Sequence, residues 1–79
     1  YDRFEVLAVT NLRAKAISVE LRSRGASSVE IKKRGADINP DDLRKSLKLG
    51  GGGEQLTVIA TRVDGRHRAI ICRRLAKNL

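Results

Sequence analysis

Residues 54–74 read EQLTVIATRVDGRHRAIICRR, two runs of apolar and β-branched side chains joined by Asp64-Gly65. No other stretch restricts the fold as much. Both residues of a two-residue hairpin loop must accept positive φ, which Asp and Gly do at low cost. The loop also fixes a register, setting Val63 opposite Arg66, Thr61 opposite Arg68 and Ile59 opposite Ile70. A chain containing such a hairpin must build a sheet, and the remaining segments have to supply partners for its edges.

Those segments alternate in period. "FEVLAV" (4–9) is apolar on both faces and reads as a buried strand. In 10–25, Leu12, Ala16, Ile17 and Leu21 recur at helical spacing, Thr10 or Asn11 is available as an N-cap, and Gly25 is placed to end the helix. "SSVEIKKR" (27–34) alternates Val29 and Ile31 with Glu30 and Lys32, a strand with one buried face. In 38–49, Asn39 caps, Pro40 takes the first helical position, and Asp41 and Asp42 meet the positive end of the helix dipole. Ile38 and Leu43 occupy hydrophobic-staple positions, and Leu43 with Leu47 forms the buried edge. "GGGG" (50–53) reads as a flexible break.

The expected order is β-α-β-α-β-β, an α/β (α+β) domain. It is a mixed four-stranded sheet with both helices on one face, in which the helical crossovers join parallel neighbours. With 79 residues the chain is read as a single domain, 1–79. It begins at Tyr1, contains no methionine and is in mid-strand by Phe4, so it is expected to be a piece of a longer protein.

The chemistry available is narrow. One cysteine precludes an internal disulfide and favours an intracellular, cytoplasmic setting. One His and one Cys give no zinc ligand set, and Cys72 and His67, five apart on one strand, point to opposite faces. Cys72 is read as a small core residue and His67 as a surface residue or a phosphate neighbour. The glycine run leads into a strand, not into the Lys-Ser/Thr and helix of a phosphate-binding loop. Asp41 and Asp42 are accounted for by capping. No catalytic residue, metal site or cofactor site is assigned to this fragment. No apolar run reaches the length of a membrane span.

Charge is what remains. Seventeen Lys and Arg face nine Asp and Glu, a net charge of +8. Such a surface favours a polyanion, with nucleic acid the first choice. Tyr1 and Phe4 are the only aromatic residues, so there is no platform for stacked bases. Recognition would fall on phosphates. Lys32, Lys33 and Arg34, clustered where the second strand ends before Gly35, are the first candidates. Arg66 and Arg68 beside the hairpin turn are the next.

The segments "EIKKRGADINPDDLRKSLKL" and "LTVIATRVDGRHRAIICRRL", in this order and spacing, resemble the THUMP-like domain found at the C-terminus of bacterial class I SAM-dependent methyltransferases. The resemblance runs from "FEVLAV" to "CRRL". It implies a parent chain with a separate methyltransferase domain N-terminal to Tyr1, which would bind S-adenosylmethionine. It also implies an RNA substrate, tRNA or ribosomal RNA, because THUMP domains deliver RNA to modification enzymes. This fragment would be the basic RNA-docking accessory domain. The alternative is a module that binds no RNA and braces the catalytic domain. The element order is also similar to that of the C-terminal domain of bacterial translation initiation factor three, which binds ribosomal RNA.

Overall fold

The computed structural model describes residues 3–47, 49 and 53–75. Tyr1, Asp2, Lys48, residues 50–52 of the glycine run and the tail 76–79 lie outside them. The elements are β1 (Arg3–Asn11), α1 (Ala14–Ser23), β2 (Ala26–Arg34), α2 (Pro40–Leu47), β3 (Glu54–Val63) and β4 (Arg66–Leu75). The element order, the mixed four-stranded sheet and the two helices are those expected.

The hairpin forms in the expected register, with Val63 opposite Arg66, Thr61 opposite Arg68 and Ile59 opposite Ile70. Asp64 has φ 51° and Gly65 φ 76°, the left-handed pair that a two-residue loop demands. α2 starts as expected too. Asn39 Oδ1 accepts hydrogen bonds from the backbone N–H groups of Asp41 at 3.0 Å and Asp42 at 3.2 Å.

The strand order differs from the simplest expectation. It is β1-β4-β3-β2. β2 is the parallel neighbour of β3, but β1 pairs antiparallel with β4. The α1 crossover therefore carries the chain across the whole sheet, and β1 and β2 form opposite edges. Pairing β1 with β4 leaves the tight β3–β4 hairpin in the sheet centre, where both of its strands are bonded on both sides.

α1 also begins later than the periodicity indicates. Thr10 and Asn11 pair with Ala69 and Arg68 as the last rungs of β1. The N-cap is Arg13, which makes no side-chain capping bond. Ladder hydrogen bonds to β4 thus take the two residues that local sequence offers as caps.

The core lies between the helices and one face of the sheet. Ile17 and Leu21 from α1 and Leu47 from α2 pack with Val29, Leu56, Val58, Ala69 and Ile71. Leu43 reaches this cluster only partly buried, so the weight of the α2 edge rests on Leu47. In β1 the register shifts between Val6 and Ala8, and both Leu7 and Ala8 pack toward the core. Gly53, the described residue of the glycine run, has a role apart from flexibility. A Cβ built there would lie 1.9 Å from the Gly25 carbonyl oxygen. The adjoining carbonyl of Gly53 accepts a hydrogen bond from Ser27 Oγ at 2.8 Å. This close approach holds the start of β3 against the start of β2.

Candidate nucleic-acid interface

Strand alternation sends Val29, Ile31, Leu56, Val58, Ala69 and Ile71 toward the helices and leaves the other face of the sheet uncovered by them. Rows across that second face follow from the pairing. One holds Val6, Cys72, Thr57 and Glu30. The next holds Val9, Ile70, Ile59 and Lys32. The third holds Asn11, Arg68, Thr61 and Arg34, and beyond it Arg66 lies opposite Val63. The face grades from an apolar middle to a cationic end.

β1, β2 and β3 all point toward that end, and β4 starts from it. The C-terminal residues of three strands and the first residues of the fourth are therefore gathered there. Lys32, Arg34, Arg66 and Arg68, all expected from sequence as phosphate contacts, share this face, and Arg34, Arg66 and Arg68 share this end. The Lys32 Nζ instead reaches back toward Glu30 and the Phe4 ring. Lys33 is not on this face. It lies opposite Ala60, on the face of Ile31 and Val58, and its Nζ pairs with Asp37 at 3.8 Å. A run of adjacent cations on a strand is split between two faces by the two-residue period.

The electrostatic partners divide the cations further. At the far end of the sheet Arg73 is locked between Glu54, at 2.7 Å, and Glu5, at 3.1 Å. The hydrogen bond from Arg73 holds the Glu54 carboxyl below its usual range, and the same bond raises the Arg73 guanidinium. Arg74 pairs with Glu30 at 2.8 Å, and Lys32 lies 3.9 Å from that same carboxylate. Arg34, Arg66 and Arg68 have no carboxylate within ion-pair distance among the described residues. Arg68 is held by a bond from Nη1 to Asn11 Oδ1 at 2.7 Å, and Arg34 by one from Nη1 to the Lys33 carbonyl at 3.0 Å. Arg66 and His67 make no side-chain bond among the described residues.

Cys72 is 1% exposed and Thr57 3%, although both lie on the helix-free face. Phe4, Arg74 and Lys32 share that face with them, and the two cations lie over the Phe4 ring. Burial raises the Cys72 thiol above its ordinary range, so it is a poor nucleophile at neutral pH. Among the described residues no group of three or more His, Cys, Asp or Glu is placed to hold a metal ion. No described helix is long and apolar enough to cross a membrane.

Fold and surface together define a small basic α+β domain with one helix-covered sheet face and one open face that ends in arginines. The family model described as THUMP domain-like matches residues 2–74, and the chain belongs to that family. No curated protein and no solved structure matches.

Proposed function

We propose that this domain docks structured RNA, tRNA or ribosomal RNA, for a SAM-dependent methyltransferase domain carried elsewhere in a longer parent chain. The observation that carries the reading is the cationic end of the helix-free sheet face. There Arg34, Arg66 and Arg68 stand with no carboxylate paired to them among the described residues. Family membership supports the same partner, since THUMP domains deliver RNA to modification enzymes. The methyltransferase, its S-adenosylmethionine and the methyl acceptor belong to the parent and rest on the resemblance alone.

With no aromatic residue among these arginines, the contacts fall on phosphates and are independent of base sequence. The test is RNA affinity measured at several salt concentrations. Because Lys33 turns to the other face and Lys32 lies beside the Glu30 carboxylate, the informative triple is Arg34→Ala, Arg66→Ala and Arg68→Ala. Each phosphate that is no longer neutralised takes about 0.7 from the slope of log K against log salt on a single strand, so the triple flattens it by roughly two units. A control pair, Arg44→Ala with Lys45→Ala, lies exposed on α2 and leaves the slope nearly unchanged. Equal weakening by both sets would reduce the binding to diffuse electrostatics.

A bracing role for the domain is favoured by a different observation. Val6 and Val9, on the same open face, are 61% and 59% exposed. In that reading the apolar middle of the sheet packs on the catalytic domain of the parent. An unchanged RNA affinity in the triple variant would favour it.

A further inference from the structure

β1 and β4 do not end together, and the mismatch creates a site. The last rung of β1 is Asn11 opposite Arg68, while β4 starts two residues earlier at Arg66. Arg66 and His67 therefore overhang the end of β1. The chain leaving β1 turns beside them, its turn closed by the Arg13 N–H donating to the Asn11 carbonyl at 2.8 Å. Between turn and overhang lies a cleft of about 340 Å³ lined by Asn11, Leu12, Arg13, Arg66, His67 and Arg68. That is within the range of roughly 300–1,000 Å³ usual for small-ligand sites.

The lining is chemically one-sided. Three guanidinium-bearing residues and an imidazole meet there, and no carboxylate lines the cleft. Arg13, Arg66 and His67 make no side-chain hydrogen bond or ion pair among the described residues, so their donors are uncommitted. Arg68 is the exception, oriented by Asn11 at 2.7 Å. The first turn of α1, which starts at the cleft wall, contains no acidic residue to neutralise this cluster. Like charges brought this close repel, and an anion relieves the repulsion. Planar guanidinium forks match the tetrahedral oxygens of a phosphate by paired N–H···O bonds.

We infer that this cleft binds a phosphate group of the docked strand, with Arg13, Arg66 and His67 as donors and Arg68 held in place by Asn11. The inference rests on the RNA-docking reading and deepens it from a charged face to one seat. A phosphate of either source meets this chemistry: a terminal monoester at a strand end, or an internal diester.

The test uses the full chain and NMR. Inorganic phosphate is titrated at constant ionic strength, with chloride as the control, while the arginine side-chain and backbone N–H signals are followed. Saturable shifts confined to residues 11–13 and 66–68 are expected. The double variant Arg66→Ala, His67→Ala and, separately, Arg13→Ala on a different element weaken phosphate binding by about tenfold or more. All three positions are exposed, so the fold tolerates both changes. A short oligoribonucleotide is then compared with and without a 5′-phosphate. Several-fold tighter binding of the phosphorylated form assigns a terminal monoester, and equal affinity that falls in the variants assigns a diester. Shifts spread equally over Lys15 and Lys45, or none above chloride, overturn the seat. So does undiminished oligonucleotide binding by both variants, which leaves the RNA reading standing. Phosphate binding without any oligonucleotide binding overturns the RNA reading and leaves the seat.

Discussion

Phe4 and Lys32 belong to the two opposite edge strands of the sheet, yet Lys32 Nζ lies 5.7 Å from the centroid of the Phe4 ring. Arg74 Cζ is 5.4 Å from the same ring. The contact bridges two intervening strands over the helix-free face. Cys72 and Thr57 lie on that face in the two strands the contact spans, so by register it forms their roof where no helix does. A cation over an aromatic face contributes about 0.5–1 kcal/mol when exposed, so most of the effect is exclusion of water.

Replacing Phe4 with Ala should open that roof. Thiol alkylation is the direct measurement. In the native chain Cys72 is shielded and its thiol raised by burial, so labelling is slow. Phe4→Ala should label several-fold faster under native conditions. Its stability cost should stay below the roughly 3–5 kcal/mol of a core Phe, because Phe4 is only half-buried. Unchanged labelling would show that the β4 and β3 side chains alone seal the site.

Two α2 variants separate capping from packing. Asn39→Ala removes both N-cap bonds and should cost about 0.5–2 kcal/mol. Leu47, 1% exposed and inside the core cluster, should cost about 2–5 kcal/mol when cut to Ala. Half-buried Leu43 should fall between them. Thermal or urea melts rank the three.

The glycine run yields a prediction at its last member. In Gly53→Ala the new methyl must displace the Gly25 backbone, since it would start 1.9 Å from that carbonyl oxygen. Backbone cannot rotate aside as a side chain can. The expected destabilisation is about 1–3 kcal/mol, typical of overpacking, and is read by urea denaturation. A neutral result would mean that β2 and β3 start further apart.

Acid should weaken the far end of the sheet. The Glu54 carboxyl is held below its usual value chiefly by its hydrogen bond from Arg73. A depressed folded value contributes stability that is fully present above the unfolded value, about 4.3 for glutamate. It is lost as pH falls from there through the folded value. Glu54→Gln should flatten that part of the stability–pH curve by lowering stability at neutral pH, and leave stability below the folded value little changed. Both groups are exposed, so salt should diminish the effect. An acid limb identical in the variant would shift the cause to other carboxylates.

Features under short-range control were legible in the chain alone. Asp64-Gly65 set the hairpin and its register, because the loop geometry leaves one choice of facing residues. Asn39, Pro40, Asp41 and Asp42 set the start of α2, because capping acts within a single turn. The element order followed from changes of period, and four of the five expected phosphate contacts do share one face. The fifth, Lys33, was separable on strand alternation alone.

The place of β1 was settled by long-range packing. A strand apolar on both faces pairs equally well in isolation with any neighbour, and the choice of β4 depends on how the α1 crossover buries Ile17 and Leu21. That choice extended β1 through Thr10 and Asn11, which pair with Ala69 and Arg68 as ladder rungs and so do not cap α1. It left Arg13 at the start of α1 without a side-chain cap. It also stopped β1 two residues short of the start of β4. The cleft of Arg13, Arg66, His67 and Arg68 joins residues more than fifty positions apart. No local pattern could announce it, because it comes from the mismatch in length between two strands that only the completed sheet brings together.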